Sequence, residues 1–161
     1  MSSKQDKMNG FSKKGFTLAE VLITAGILVM VIGGLLQLFI YCSILSESTG
    51  NMAMAMADAQ TKMEEIRNHT YSDITTDYVS GGTPGNTFNL TLGNGKGAIY
   101  IDSSNADLLQ IEITVSWMNN RNNRYIGEDL DLDGAIDAGE DVDGDSKLDS
   151  PVDISSYIAA R

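Results

Sequence analysis

Three patterns of apolar and polar positions follow one another along the chain, and each predicts its own kind of element. From Val21 to Leu45 no residue is charged, a run longer than the ~20 residues a helix needs to cross a bilayer. Beyond Leu45 the apolar residues thin out and become periodic. Met52, Met56, Ala59, Met63 and Ile66 recur at spacings of four, three, four and three, which places them on one stripe of a helix. The two stretches together predict one helix of about 75 Å, from Phe16 to Arg67, softened near Gly50 and ending by His69–Thr70. Its first half asks for apolar surroundings, and its second half offers a stripe to a sheet. Methionines on such a stripe can form an adaptable binding surface; core packing fits better, because Ala59 and Ile66 share it. On another face Asp58 and Lys62 are spaced to pair at i,i+4.

The third pattern has a period of two. After a loop over Ser80–Asn86 (SGGTPGN), Thr87–Leu92 (TFNLTL) and Gly97–Ile101 (GAIYI) read as strands joined by GNGK, which carries hairpin turn chemistry. That turn is not a phosphate-binding loop, since no Ser or Thr follows Lys96 and no helix follows the turn. In LLQIEITVSW, the residues Ile111, Ile113, Val115 and Trp117 alternate with polar ones, so one face is buried and Trp117 anchors the core. Val152, Ile154 and Ile158 repeat the pattern and predict a final strand returning beside Ile111–Trp117. The fold class is therefore α+β: a long N-terminal helix packed on a small antiparallel sheet, with an acidic insert before the last strand. The expected divisions are a leader over 1–15, a helical region over 16–69 with a membrane segment at about 21–45, and a globular β domain over 70–161 holding the insert at 128–150.

Charge sharpens this picture. The chain of 161 residues has a net charge of −11. Eleven acids and one base lie between Glu128 and Asp153, so the remainder is close to neutral. No basic stripe exists to track phosphates, which excludes a nucleic-acid binder. The acidic block calls for cations. The one cysteine, Cys42, lies in the apolar run, so no disulfide staples the C-terminal half. His69 has no His or Cys companion and reads as an exposed helix-end residue. Without a nucleophile–base set, the chain is not read as an enzyme.

The residues before the apolar run are Lys13-Lys14-Gly15-Phe16-Thr17-Leu18-Ala19-Glu20 (KKGFTLAE). The leader is basic, with Lys4, Lys7, Lys13 and Lys14 against Asp6, and basic flanks stay cytoplasmic. An ordinary secretory signal places its small-residue cleavage site after the apolar stretch; here Gly15 comes before it. In that order the segment resembles the type IV prepilin family, and AQTKMEEIR resembles the corresponding stretch of the minor pilins and minor pseudopilins. The resemblance implies a pilin-like fold, cleavage between Gly15 and Phe16 by a prepilin peptidase on the cytoplasmic face of a bacterial inner membrane, and methylation of the new Phe16 amine. It further implies that Glu20 pairs with the Phe16 amine of a neighbouring subunit during assembly. A charge at mid-membrane costs about 2.5–3.5 kcal/mol on insertion scales, so an acid there needs such a partner. The plainer alternative is a signal anchor in which Glu20 is a tolerated interfacial acid. Gly33–Gly34 within the run read either as a place where the helix stretches or as a close-packing site.

The acidic block has internal order. Asp129 to Glu140 (DLDLDGAIDAGE) fits the twelve-residue EF-hand loop position by position. Asp129, Asp131 and Asp133 take positions 1, 3 and 5. Gly134 takes the sharp turn at 6, the Ala135 carbonyl stands at 7, Asp137 at 9 and Glu140 at 12, and Ile136 at 8 points back into the core. A second, weaker run follows: Asp141, Asp143, Asp145, the Lys147 carbonyl and Asp149 match 1, 3, 5, 7 and 9. Ser146 replaces the glycine, and Asp153 comes one residue late for position 12. The expected cofactor is calcium, bound in the first loop and, with the departures at Ser146 and Asp153, in the second, at the 0.1–1 mM affinities of extracellular loops. The bland alternative is a solvated acidic loop.

These readings point to a minor pilin or pseudopilin, a structural subunit of a type IV pilus or type II secretion filament, with other such subunits, the prepilin peptidase and methylase, and the inner membrane as partners and no nucleic acid. The alternatives are a major pilin and a membrane-anchored calcium-dependent binding module outside any filament.

Overall fold

The computed structural model describes residues 15–121 and 123–160. The leader expected over 1–15 therefore lies outside the described residues except for Gly15. Helix α1 (Leu18–Arg67) and helix α2 (Tyr71–Asp77) precede five strands: β1 (Thr87–Asn89), β2 (Gly95–Asn105), β3 (Leu108–Asn119), β4 (Arg124–Ile126) and β5 (Asp153–Ala159). The chain forms two compact units that divide between Ile44 and Leu45.

In the first unit, Thr17 caps α1: its Oγ1 accepts the Glu20 N–H at 3.3 Å and its carbonyl accepts the Val21 N–H at 3.2 Å, satisfying donors that a helix start leaves open. Phe16 lies just outside the helix. Every described residue of this unit, 15 to 44, is exposed, including Leu22, Ile27, Leu36 and Phe39. A helix that is apolar all round belongs in an apolar medium, and this one is long and apolar enough to span a membrane.

In the second unit, α1 contributes Ala55, Ala59, Met63 and Ile66, all buried. The predicted stripe is thus displaced at its start, since Met52 is exposed and Ala55 packs in its place. The helix runs through Gly50 without a break. Strands β1, β2 and β3 form an antiparallel meander, with Thr87 opposite Ala98 and Ile99 opposite Ile113. On the other edge of β3, β4 pairs with Trp117–Asn119 and β5 pairs with Leu108–Thr114. Leu109, Ile111, Ile113, Val115 and Trp117 face α1 in one apolar cluster, to which Ile74 and Tyr78 of the α2 segment and Val152 belong. Alternation along β3 puts Glu112, Thr114 and Ser116 on the opposite face. Thr114 and Ser116 are nevertheless buried.

Several expectations need correction. Asp58 does not pair with Lys62. Its carboxylate accepts the Thr91 N–H and Oγ1–H, each at 2.7 Å, tying α1 to the β1–β2 turn, while Lys62 bonds Glu65 at 2.6 Å. Tertiary donors outcompeted a same-helix neighbour. The β1 strand stops at Asn89 rather than Leu92, and β2 continues to Asn105. The pattern does not reveal helix α2 or strand β4, α2 being a single short piece capped by the Thr70 hydroxyl.

Candidate metal centre

The insert leaves β4 at Gly127, whose φ of +97° and close approach to the Ser116 hydroxyl require glycine. The first loop then wraps around its own carboxylates. Asp129 is 1 % exposed and Glu140 4 % exposed. Asp129 Oδ2 accepts the Gly134 N–H at 2.9 Å and Oδ1 the Asp133 N–H at 3.2 Å. Glu140 Oε1 accepts the Leu130 N–H at 2.7 Å and Oε2 the Asp137 N–H at 3.0 Å, so one side chain closes the loop from both ends. Gly134 has φ +81°, and a Cβ there would meet Thr87 Cγ2 at 2.6 Å, which seats the loop against β1. Carboxylate oxygens of Asp129, Asp131 and Glu140 lie within 4.8 Å of one another, as do those of Asp131, Asp133 and Asp137. Burial raises the Asp129 carboxyl above the usual range and the nearby Glu140 adds to this, while backbone N–H groups of Gly134 and Leu132 oppose it. A cation among these oxygens would offset the repulsion that burial intensifies.

The second loop repeats the backbone of the first at an offset of twelve residues. The fourth residue is left-handed in both (Leu132, φ 61°; Gly144, φ 81°), and so is the sixth (Gly134, φ 81°; Ser146, φ 66°). Three hydrogen bonds recur. The sixth N–H donates to the first aspartate (Ser146 to Asp141 Oδ2, 3.1 Å), the fifth to the third (Asp145 to Asp143, 3.2 Å) and the seventh to the fifth (Lys147 to Asp145, 2.8 Å); their counterparts in the first loop are Gly134 to Asp129, Asp133 to Asp131 and Ala135 to Asp133. Ser146 therefore makes the turn assigned to glycine in spite of its Cβ. Asp141, Asp143 and Asp145 converge within 4.8 Å. Asp149 and Asp153 are not in that group: the Asp149 N–H donates to Glu128 Oε2 at 3.0 Å, and Asp153 stands in β5 opposite Thr114.

No family model, curated protein or solved structure matches this chain.

The site must be read from its own geometry, and that geometry includes a residue the spacing did not reveal. Glu128 lies before both loops. It accepts the N–H of the ninth residue of the second loop, Asp149, as Glu140 accepts that of the ninth residue of the first, Asp137. A twelve-residue window looks for its last acid downstream, so an acid upstream escapes it. Ile136, expected to point into the core, is 37 % exposed, whereas its counterpart Leu148 is 2 % exposed. The Leu148 N–H donates to Tyr100 Oη at 2.9 Å and Lys147 Nζ pairs with Glu112. The second loop thus faces β2 and β3, and the first lies against β1.

Proposed function

We propose that this chain is a structural filament subunit of the minor pilin or pseudopilin kind, serving a type IV pilus or a type II secretion filament, with calcium holding its acidic insert. The observation that carries the reading is the order Lys13-Lys14-Gly15-Phe16 directly before a helix that is apolar on every side and carries one early acid, Glu20. Peptidase cleavage between Gly15 and Phe16 leaves that helix attached to the extracytoplasmic domain. The Phe16 amine, methylated and still cationic, then pairs with Glu20 of the next subunit, which satisfies an acid otherwise costly in the membrane. The α+β arrangement supports the same reading, with the α1 stripe from Ala55 to Ile66 packed on an antiparallel sheet.

Calcium suits the insert because it takes six to eight oxygen ligands in flexible geometry. Asp129, Asp131, Asp133, Asp137, Glu140 and the Ala135 carbonyl supply such a set in the first loop. Asp141, Asp143 and Asp145 supply part of one in the second, with Asp149, Glu128 and the Lys147 carbonyl beside them. Mass spectrometry of the mature N-terminus from the native membrane fraction tests the filament reading. Methylated Phe16 is the expected terminus, and Gly15→Leu should leave the leader on. An intact leader on the wild-type protein, or a mature terminus elsewhere, would overturn it.

A further inference from the structure

We propose that residues 128–149 form a hinged flap over the polar face of the sheet, which opens as one unit without unlacing β5. Three observations carry this. First, the apolar cluster includes residues on both sides of the insert, Trp117 and Val152, with Ile126, Ile154 and Ile158 packed against it, but none within the insert. Second, the base of the insert is clasped. The Glu128 N–H donates to the Asp149 carbonyl at 2.9 Å, and the Asp149 N–H returns to Glu128 Oε2. Immediately outside the clasp the Val115 N–H donates to the Val152 carbonyl at 3.1 Å and the Ser150 hydroxyl to the Val115 carbonyl. The chain is therefore fixed to β3 where the insert ends, before β5 begins its seven paired positions.

Third, what the flap covers is cheap to expose. Its sheet contacts include Lys147 to Glu112, Leu148 N–H to Tyr100 Oη, and Gly134 against Thr87 and Lys96. Leu148 is the one buried apolar side chain among its described residues. Beneath it lie Tyr100 and Glu112, whose hydroxyl and carboxylate water can solvate, so little apolar area is released on opening. Ten acids against Lys147 within 128–149 supply the force that opens it when they are not neutralised. The flap rests on these contacts alone; only its closure by calcium rests on the metal reading above.

Hydrogen exchange of the full chain in detergent micelles, read by mass spectrometry with calcium and with chelator, tests this. In chelator, peptides within 130–147 should exchange on the order of 100-fold faster than those within 154–159 and 109–117. Leu148→Ala should speed both loops by the same factor and leave β5 unchanged. Equal rates for the insert and β5 would overturn the flap. So would a Leu148→Ala effect that reaches β5 or is confined to the second loop. Calcium should slow the insert alone. If it slows nothing, the metal reading fails, and the flap is still judged by the ratio of insert to β5 within one sample.

Discussion

Asp58→Ala separates two accounts of how α1 is held. If Asp58 paired with Lys62, its loss would remove an exposed i,i+4 ion pair contributing about 0.3–0.5 kcal/mol. The structure gives Asp58 two bonds from Thr91 instead, both at 2.7 Å. Hydrogen bonds to a charged acceptor contribute about 1.5–3 kcal/mol each. Asp58 is only half-buried and Thr91 is exposed, so water recovers part of what the truncation removes. The expected cost is then about 2–3 kcal/mol, well below the sum of two full bonds. For a domain of this size that lowers the melting temperature by about 6–12 °C. Trp117, the single tryptophan and 4 % exposed, reports the melt by fluorescence. Thr91→Ala removes the hydroxyl bond but leaves the Thr91 N–H, so a double-mutant cycle should show coupling of about 1 kcal/mol between the two sites. Lys62→Ala should show none with Asp58. A cost below about 0.5 kcal/mol, or coupling to Lys62 in place of Thr91, would refute the tether.

Glu20→Ala should insert in the membrane as well as the wild type, since a charge leaves the edge of the apolar run, and should fail to enter filaments; wild-type incorporation measured in sheared filaments would remove the pairing role. Calcium at one hundred times Kd should stabilise the wild-type chain by about 2.7 kcal/mol, and Glu140→Gln should lose most of that gain in calcium-dependent melting. In chelator the same variant should differ little, because the lost charge-assisted bond is offset by reduced repulsion with Asp129; a variant equally destabilised in calcium and chelator would make Glu140 a loop cap and not a ligand. Burial, with the Glu65 carboxylate adding, pushes the Tyr78 phenol up to about 12. Its stabilising effect is therefore intact below the unfolded value of about 10 and is lost as pH rises from there toward 12. Tyr78→Phe should flatten the fall in stability over that window in chemical denaturation, and an unchanged slope would count against it.

The strongest periodic signals proved the most legible. Val21–Leu45 and the β3 alternation are set by burial or exposure of whole faces, which composition records directly. The return of a strand beside β3 followed from Ile154 and Ile158 in the same way, but β5 begins after Val152 and pairs with Leu108–Thr114, while Trp117 pairs with β4 instead. Elements held by a few contacts were not legible. Helix α2 rests on the Thr70 cap and on Ile74, and β4 on three pairs with β3; neither is long enough to show a period. Within the insert, the spacing of Asp129 to Glu140 anticipated carboxylates that do converge. It misdirected Ile136 because the fold offers that loop β1 and solvent instead of a core. It missed Glu128 because a hydrogen bond from upstream leaves no mark on a downstream count. The i,i+4 spacing points Asp58 to Lys62, whereas the structure gives it a backbone N–H and a hydroxyl from Thr91.

The pairing of β5 with β3 also bears on the order in which the chain folds. Asn105 and Leu108 open the β2–β3 hairpin across a short turn, while Thr114 and Asp153 must find each other across roughly 40 residues. Closing so long a loop is slow, and most of its length repels itself until it compacts. During that interval the edge of β3 stands bare, with Ile111 and Ile113 beside it, and a bare edge flanked by apolar residues is where chains pair wrongly with one another. A newly made chain would then be most vulnerable to aggregation before its last strand arrives, and whatever hastens compaction of the insert shortens that interval without altering the finished structure.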